Sequence, residues 1–599
     1  MRISSKIFLC GLWGGLFFPT GAALAGPVGA DNAKPPMIVS TFIAEPGTKY
    51  PYRQNMYEPL ALPDGRILAL SVARRNGQQT MQGRYSTDEG RTWSGPQDLF
   101  EFPKAAGGFA LFEHLLGRDG EIQIFILCDA NSGALYPSSE EAAPARQGEI
   151  LEIWHVKSDG KMQHWGTPHR ISEQGDDLLS VIQMNNGRIV LPISFQRMRD
   201  YNDPRQGFEG FTYCGSYGAT SIYSDDDGDT WQRSASMLIE QTPDLGTYGV
   251  NEPVVLQLKD GRVWMLMRTQ RGRFYQSFSP DGAHWSPAEP TSLISSDAPA
   301  GLMRLKDGSI LLLCNACLRY PYGYGGREVL HGAVSQDEGH TWRGFRELFR
   351  DPNRNAPADF RAGDYGCSYS FPTLTAQGNI LMTNWVEAEN GRVRTFKSID
   401  PLWLYQTKQE TDFSSGLDDW SIFGSKGVEL IADPQNQNAR VLSIRKVDPA
   451  WPAAAVWNFP MSCKGTLKIR LMLREGFGGA RLGLTDHFSV PWDDEDKFYN
   501  VFNLNIGSDG EVMAGVKLAT NKWQNLQLNW GTNQRGSHIT LDGKDASLLQ
   551  DNRHSDGLNY LRLRSTASGT DGGLLIASVA ADVSAGWPDP PPDLHSTRN

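Results

Sequence analysis

The amino-acid sequence predicts an all-β protein: a six-bladed β-propeller over residues 37–406, followed by an antiparallel, jelly-roll-like β-sandwich over residues 412–585. Two repeated elements, an acidic turn motif and a glycine-turn hairpin, alternate along the first two thirds of the chain. After them the pattern changes to short segments of alternating polar and apolar residues, which lack the helical period and are separated by turn residues. The repeats predict the propeller and the later segments predict the sandwich.

The acidic turn motif has the pattern Ser-x-Asp-x-Gly-x-Thr-Trp. Three close copies occupy residues 86–93, 224–231 and 335–342, and three looser copies occupy residues 158–165, 279–285 and 398–403. A single copy would indicate no more than an ordinary acidic turn. The motifs resemble the Asp boxes of sialidases and other propellers. That resemblance implies that the carboxylate caps backbone N–H groups of the turn and that the tryptophan packs between blades, so the motif indicates a fold and not a chemistry.

The glycine-turn hairpin places a Gly between two apolar runs, as in LALPDGRILAL and VLQLKDGRVWML. Asp-Gly and Asn-Gly supply the positive φ angles that tight hairpins need. Six such hairpins alternate with the six acidic motifs, at residues 60–70, 116–126, 182–193, 255–266, 303–313 and 374–383. Each unit therefore predicts four strands, A to D, and six such blades close a ring.

The repeat also predicts which face of the ring is functional. The glycine turn between strands A and B and the acidic motif between C and D lie at one end of a blade. The start of A, the end of B and the start of C therefore lie at the other end. The residues expected there are Glu252 and Arg268 of blade 4, Arg327 of blade 5, Tyr369 of blade 6, and Arg53 and Arg74 of blade 1.

These residue types suit a ligand that carries a carboxylate. Guanidinium groups bind carboxylates bidentately and stay charged, and an anionic ligand would offset their mutual repulsion. Tyrosine is a poor nucleophile at its free pKa of about 10. A neighbouring glutamate can accept its proton, and nearby cations favour the phenolate.

At these positions the chain resembles the exo-sialidase family over roughly residues 37–406. Glu252 and Arg268 flank the glycine turn at Gly261 as in the family pattern, Arg327 precedes the motif that begins at Ser335, and Tyr369 fits the family's nucleophile pattern. The resemblance implies a retaining hydrolase that releases terminal sialic acid or a related acidic sugar from glycans. In it, Tyr369 and Glu252 would be catalytic, and Arg268, Arg327 and Arg53 would bind the sugar carboxylate.

Blade 1 departs from the family pattern. Arg53 lies about two residues further from the glycine turn than the pattern places the first arginine, and Asn384 stands where many sialidases have a glutamate. The loop RRNGQQTMQGRYS lacks the acid/base aspartate. Candidate replacements are Asp129, Glu58, Asp200 and Asp203, while Arg74 and Glu58 are possible pocket residues and Glu113 and His114 could point toward the pore. Two other functions stay open: a polysaccharide lyase acting on uronate-containing glycans, and a non-catalytic glycan-binding propeller.

The remaining expectations concern location and partners. Residues 1–25 read as a secretory signal cut near Ala25, so we expect a secreted or periplasmic protein without a membrane span. The net charge of −11 discourages binding to nucleic acid. Cys314 and Cys317 form a lone CxxC without a second ligand pair, so no metal or other cofactor is expected. The segment 412–585 resembles concanavalin and laminin-G domains, and residues 586–599 should be disordered.

Overall fold

The computed structural model describes residues 37–41, 58–75, 78–103, 108–129, 151–173, 175, 177–197, 216–239, 249–318, 326–350, 367–388, 391–422, 424–531 and 536–587. The predicted signal at residues 1–25, Arg53, Asp200, Asp203 and residues 588–599 of the predicted tail lie outside the described residues. Across the described ranges, no helix combines the length and apolar character that a bilayer crossing requires.

Among the residues that the structure describes, the repeats contribute the first 24 strands and one 3₁₀ helix, Pro401–Tyr405. In chain order the strands are β1 (Met37–Thr41), β2 (Glu58–Ala61), β3 (Ile67–Arg75), β4 (Gln78–Ser86), β5 (Gln97–Glu101), β6 (Gly108–Leu116), β7 (Ile122–Asp129), β8 (Leu151–Lys157), β9 (His169–Ser172), β10 (Ile182–Gln183), β11 (Ile189–Arg197), β12 (Ser216–Ser224), β13 (Gln232–Arg233), β14 (Asn251–Gln257), β15 (Val263–Arg268), β16 (Arg273–Ser279), β17 (Glu289–Ile294), β18 (Gly301–Arg304), β19 (Ile310–Cys314), β20 (Val329–Ser335), β21 (Arg343–Arg350), β22 (Thr373–Leu374), β23 (Ile380–Ala388) and β24 (Gly391–Ile399).

The C-terminal region, residues 408–587, contributes the other strands and the 3₁₀ helices Glu495–Phe498 and Ser584–Gly586. Its strands are β25 (Lys408–Thr411), β26 (Trp420–Ser421), β27 (Val428–Asp433), β28 (Asn436–Ile444), β29 (Ala454–Ser462), β30 (Lys464–Leu473), β31 (Ala480–Thr485), β32 (Phe502–Ile506), β33 (Glu511–Met513), β34 (Val516–Lys517), β35 (Gln524–Gly531), β36 (Gly536–Leu541), β37 (Lys544–Leu549), β38 (Leu558–Ser565) and β39 (Leu574–Asp582).

Within the described residues, the repeats form five separate four-stranded antiparallel sheets: β2–β5, β6–β9, β10–β13, β14–β17, and β22–β24 with β1. The first strand, β1, pairs with the last strand of the repeats, β24, which joins the two ends of the array. The all-β class and the propeller arrangement are confirmed. Five blades stand apart instead of the predicted six, because β18–β21 run on into the C-terminal strands through the pairing of Gly344 with Met461.

The close copies of the acidic motif have the structural role that was expected of them. In the first copy, Asp88 accepts bonds from the backbone N–H and the hydroxyl of Thr92, at 2.8 and 2.6 Å. The ring of Trp93 then packs on Phe396 of the neighbouring sheet, with centroids 4.6 Å apart. The second and third copies repeat the carboxylate bonds from Asp226 and Asp337. These motifs stabilise the turns and the packing between neighbouring blades. They lie at the end of the blades opposite Glu252, Arg268, Arg327 and Tyr369.

The C-terminal region consists mainly of two antiparallel sheets. One contains β27, β28, β39, β30, β35, β36 and β37 in that order, and the other contains β29, β38, β31 and β32. Buried side chains from both sheets, among them Trp457 and Ile576, belong to one hydrophobic cluster. The jelly-roll sandwich stays a prediction. Trp587, which lies in the predicted tail, donates its indole N–H to the carbonyl of Met461 at 2.7 Å.

Candidate active site

Glu252 and Tyr369 occupy the same position in two different repeats. Each lies six residues before the first residue of its glycine turn, Leu258 or Thr375. Each also has a left-handed backbone, with φ of 46° for Glu252 and 54° for Tyr369. Left-handed φ is uncommon for residues with bulky side chains and costs on the order of 1–3 kcal/mol. The surrounding structure must therefore hold both side chains in this orientation.

A β-bulge directs Glu252 toward Arg268. The pairing of β14 with β15 shifts register between Asn251 and Val254, and Asn251 lies opposite Arg268 at the end of β15. The Nη1 atom of Arg268 donates to a Glu252 carboxylate oxygen at 2.5 Å and to the phenolic oxygen of Tyr369 at 2.9 Å. The Tyr369 hydroxyl donates to the other oxygen of Glu252. These three side chains form a closed triangle of hydrogen bonds.

Asp297 connects this triangle to Arg327. Its carboxylate accepts a bond from Nε of Arg268 at 2.6 Å, and its backbone carbonyl accepts from Nη2 of Arg327 at 2.6 Å. The Arg327 guanidinium lies over the Tyr369 ring, 5.4 Å from the centroid. The predicted site residues Glu252, Arg268, Arg327 and Tyr369 therefore lie together, as the phase of the repeat predicts.

The site holds its charges away from water. Glu252 and Arg268 are each 4% exposed and Arg327 is 3% exposed, whereas Tyr369 is partly exposed. Two carboxylates, Glu252 and Asp297, lie against the guanidinium of Arg268. Internal ion pairs therefore offset part of the repulsion between the arginines. From the sequence alone, we expected only a bound anionic ligand to offset it. The arrangement can deprotonate a phenol and stabilise its phenolate.

Glu58 lies in a different cluster. Glu58 and Glu113 each lie four residues before the first residue of their glycine turns, Leu62 and Gly117. They are therefore two residues nearer the turn face, the end of the blade that carries the glycine turns, than Glu252 and Tyr369. Nδ1 of His114 lies 3.2 Å from Glu58 and 3.6 Å from Glu113. Burial, with the nearby charge of Glu58, raises the pKa of Glu113 to about 8, and burial lowers the pKa of His114. Ligand atoms of the three lie within 4.8 Å of one another, so this group could hold a metal ion.

The other predicted residues are not placed in the site by the structure. Arg53 lies outside the described residues. Arg74 is the next-to-last residue of β3, Asp129 ends β7 and Asn384 lies in β23; the side chains of these last three are outside the described part. The pairing of β3 with β4 continues to Arg75 and Gln78, so two residues connect these strands. The two connecting residues, Asn76 and Gly77, carry no carboxylate.

Sequence reasoning missed Asp297. It lies eight residues before Leu305, the first residue of its glycine turn, and so two residues further from the turn than the position that Glu252 and Tyr369 share. The repeat phase could have placed it at the correct face. Its contact with Arg268 depends on side-chain conformations that the pattern does not contain. Gln270 also reaches this carboxylate, at 3.3 Å.

Comparison with known proteins agrees with the repeat pattern. Residues 118–382 match the family model of the BNR repeat-like domain. A sialidase from Micromonospora viridifaciens is 25% identical over an alignment of 316 residues; the alignment covers 47% of this chain and 44% of that protein. The matched part thus spans less than half the length of that relative.

Solved structures were also compared with the chain. The sialidase of Trypanosoma rangeli in complex with sialic acid gives a TM-score of 0.39 at 12% identity, covering 91% of this chain and 94% of that one. The Hadza microbial sialidase Hz136 gives 0.41 at 18% identity, covering 58% of this chain and 66% of that one. TM-scores this low add no weight to the assignment. By the domain match and the curated relative, residues 118–382 are similar to the BNR repeat-like domain, and the chain is similar to a sialidase.

Proposed function

We propose that the propeller is an exo-acting, retaining glycoside hydrolase that releases a terminal sialic acid or a related sugar with a carboxylate on its anomeric carbon. One observation carries this proposal: the Tyr369 hydroxyl donates to Glu252 while Arg268 donates to the same phenolic oxygen. A base that accepts the proton and a cation that favours the phenolate are what a tyrosine nucleophile needs. The match to a sialidase is consistent with this chemistry.

In the first step, the Tyr369 oxygen forms a bond to the anomeric carbon and its proton passes to Glu252. The bond from that carbon to the leaving oxygen breaks, and the leaving oxygen takes a proton from an acid outside this triangle. In the second step, water attacks the anomeric carbon and gives one proton to the conjugate base of that acid. The bond from this carbon to the Tyr369 oxygen breaks, and Glu252 returns its proton to the phenolate. Two displacements at one carbon retain its configuration.

Tyrosine is suited to this carbon because the neutral phenol is not repelled by the sugar carboxylate, whereas a carboxylate nucleophile would be. Arg268 and Arg327 would bind that carboxylate, since guanidinium groups match its geometry. Both arginines are already held in place through Asp297, which limits the entropy that substrate binding must remove.

We further propose that β18–β21 supply a sixth blade. They contain the third close copy of the acidic motif, at residues 335–342, and its Trp342 packs against Trp264 with centroids 6.3 Å apart. Export by way of residues 1–25, with a soluble product, would bring the enzyme to glycans outside the cytoplasm.

The test is covalent trapping with a fluorinated sialosyl fluoride, combined with release of 4-methylumbelliferone from its sialoside. The wild type should gain the mass of one sugar, and peptide mapping should place it on Tyr369. Tyr369→Phe should neither label nor turn over. Tyr405→Phe, which removes another buried hydroxyl at the turn face, bonded to Asp307 at 2.8 Å, should do both.

The other functions predict different results. A lyase acting on uronate-containing glycans would give an unsaturated product with new ultraviolet absorbance and no trapped sugar on Tyr369. A non-catalytic glycan-binding protein would bind a sialoside without turnover. Either result, or a label on another residue, would overturn the proposed mechanism.

A further inference from the structure

Asn315 connects the segments that carry the candidate site, although it is outside the site itself. It follows the last residue of β19 and lies between Cys314 and Cys317, the CxxC pair in the sequence. Both cysteines are buried, and Asn315 is itself 1% exposed. The proposed reaction assigns no role to this buried amide.

The side chain of Asn315 joins two of these segments. Its Nδ2 donates to the carbonyl of Val329 at 2.7 Å and to the carbonyl of Cys367 at 2.8 Å. Val329 lies two residues after Arg327, and Cys367 lies two residues before Tyr369. One amide nitrogen thus fixes the distance between the segment of the nucleophile and the segment of a carboxylate-binding arginine.

The backbone of Asn315 reaches a third segment. Its carbonyl accepts the N–H of Ser296 at 2.9 Å, and Ser296 is followed directly by Asp297. Asp297 in turn bonds Arg268. Asn315 therefore bonds three segments directly, each at a residue that lies one or two positions from Arg327, Tyr369 or Asp297.

Ala316, the next residue of the chain, is hydrogen-bonded to the C-terminal region. The N–H of Phe488 donates to the carbonyl of Ala316 at 2.8 Å. The N–H of Ala316 donates to Nδ1 of His331 at 3.1 Å, so the ring proton of His331 is on Nε2 and donates to the Tyr560 oxygen at 2.6 Å. Tyr560 donates to Glu347 at 2.7 Å. Burial lowers the pKa of His331 to about 4, which fits the neutral ring that this chain of bonds requires.

We propose that Asn315 is a positioning residue for Tyr369, and that the C-terminal region acts on the active site through it. This inference rests on the proposed function, with Tyr369 as nucleophile. Tyr369 has a left-handed φ of 54°, so its hydroxyl stays beside Glu252 only while the preceding backbone is fixed. Loss of the two Nδ2 bonds would displace the nucleophile, whereas Arg268 and Arg327 keep their own bonds to Asp297 and stay nearly in place.

The test is Asn315→Asp, which keeps the shape of the side chain and removes its two N–H donors. With 4-methylumbelliferyl sialoside, kcat should fall by about 100-fold, the usual effect of a displacement near 1 Å, while KM changes by less than about threefold. A buried aspartic acid between two carbonyls has a raised pKa, and its protonated form offers one donor. The variant's kcat relative to wild type should therefore rise as the pH falls.

The matched control is Asn458→Asp. Asn458 is also buried at the junction with β21, and its Nδ2 donates to the carbonyls of Phe345 and Asn559 at 3.1 and 3.2 Å. It should lower thermal stability by an amount comparable with Asn315→Asp and leave kcat within about twofold. The aspartate keeps the oxygen that accepts the Glu347 N–H, and the two bonds that it loses lie away from the site. Equal losses of kcat in the two variants, or wild-type kcat in Asn315→Asp, would overturn the proposal.

Amide hydrogen exchange separates failure of this proposal from failure of the proposed function. If the wild type releases no product from any sialoside, the hydrolase function fails, but the positioning role can still be measured. Asn315→Asp should then speed exchange in residues 367–371, and Asn458→Asp should not. Unchanged exchange in that segment would show that Asn315 does not position Tyr369.

Discussion

One nitrogen of Arg268 lies 2.5 Å from a Glu252 oxygen and 2.9 Å from the Tyr369 hydroxyl, so the proposed base and the proposed nucleophile share a single cation. The same guanidinium bonds Asp297 through Nε. This shared contact makes the geometry of Arg268, and not only its charge, essential to the proposed reaction.

Arg268→Lys should therefore be almost as harmful as removal of the side chain. Lysine keeps a positive charge but cannot bond Asp297 and the Glu252–Tyr369 pair from a planar fork. We expect kcat/KM for 4-methylumbelliferyl sialoside to fall about 100-fold or more, which corresponds to about 2.7 kcal/mol of transition-state stabilisation. Steady-state kinetics on the purified variant measures this.

The matched control for that substitution is Arg304→Lys. Arg304 also bonds a carboxylate through two nitrogens, to Glu338 at 2.9 Å each, but it lies beside a glycine turn at the opposite end of the blade. Its kcat/KM should stay near that of the wild type. A large loss of activity in both variants would mean that the effect of Arg268→Lys reflects weakened folding.

The short connection between β3 and β4 predicts an unusual dependence on the leaving group. An aryl sialoside leaves as a stabilised phenolate and needs little acid catalysis, whereas a sialyl-lactose leaves as an alkoxide and needs a proton. General acid catalysis typically contributes about 10²–10⁴-fold. The measured quantity is kcat/KM for the aryl sialoside divided by kcat/KM for sialyl-lactose. For this protein we expect that ratio to exceed the ratio for a sialidase with an aspartate in this loop by about 10²–10⁴-fold.

A ratio like that of such a sialidase would show that another group supplies the acid. In that case Asp129→Asn, Glu58→Gln, Asp200→Asn and Asp203→Asn should be compared on both substrates. The variant that loses activity on sialyl-lactose while keeping it on the aryl sialoside would identify the acid.

Glu113 predicts a loss of stability with rising pH. Its pKa is raised from 4.5 to about 8 in the folded protein, where Glu58 and His114 face it. The folded state therefore retains a proton that the unfolded chain releases, and this contribution is complete below pH 4.5 and lost as the pH rises toward 8. Each pH unit in this window removes up to about 1.4 kcal/mol.

Glu113→Gln should remove that slope. Urea unfolding at pH values from 5 to 8 would give the free energy of unfolding of both proteins. The free energy of unfolding of the variant should increase relative to that of the wild type as the pH increases. Parallel curves would show that Glu113 titrates in the same way in the folded and unfolded states.

The sequence was informative where the repeat determines position. Because the phase of the hairpins fixes which strand ends meet, Glu252, Arg268, Arg327 and Tyr369 could be assigned to one face before any coordinates. Asp297 and Asn315 could not be assigned roles, because those roles depend on which carbonyl or guanidinium each side chain reaches. Likewise, nothing in the pattern of Arg343–Arg350 indicates that this strand pairs beyond its own blade.

The pairing of Gly344 with Met461 means that the propeller has no free outer edge at β21. A fragment that stops at residue 406 would leave Gly344 without its partner on β29, and would remove the contacts that Gln409 and Trp587 make with Arg346 and Arg343. Open strand edges recruit other strands and lead to aggregation. The C-terminal region thus covers part of the β21 edge, and we expect a shorter soluble fragment to need β29 and the sheet behind it.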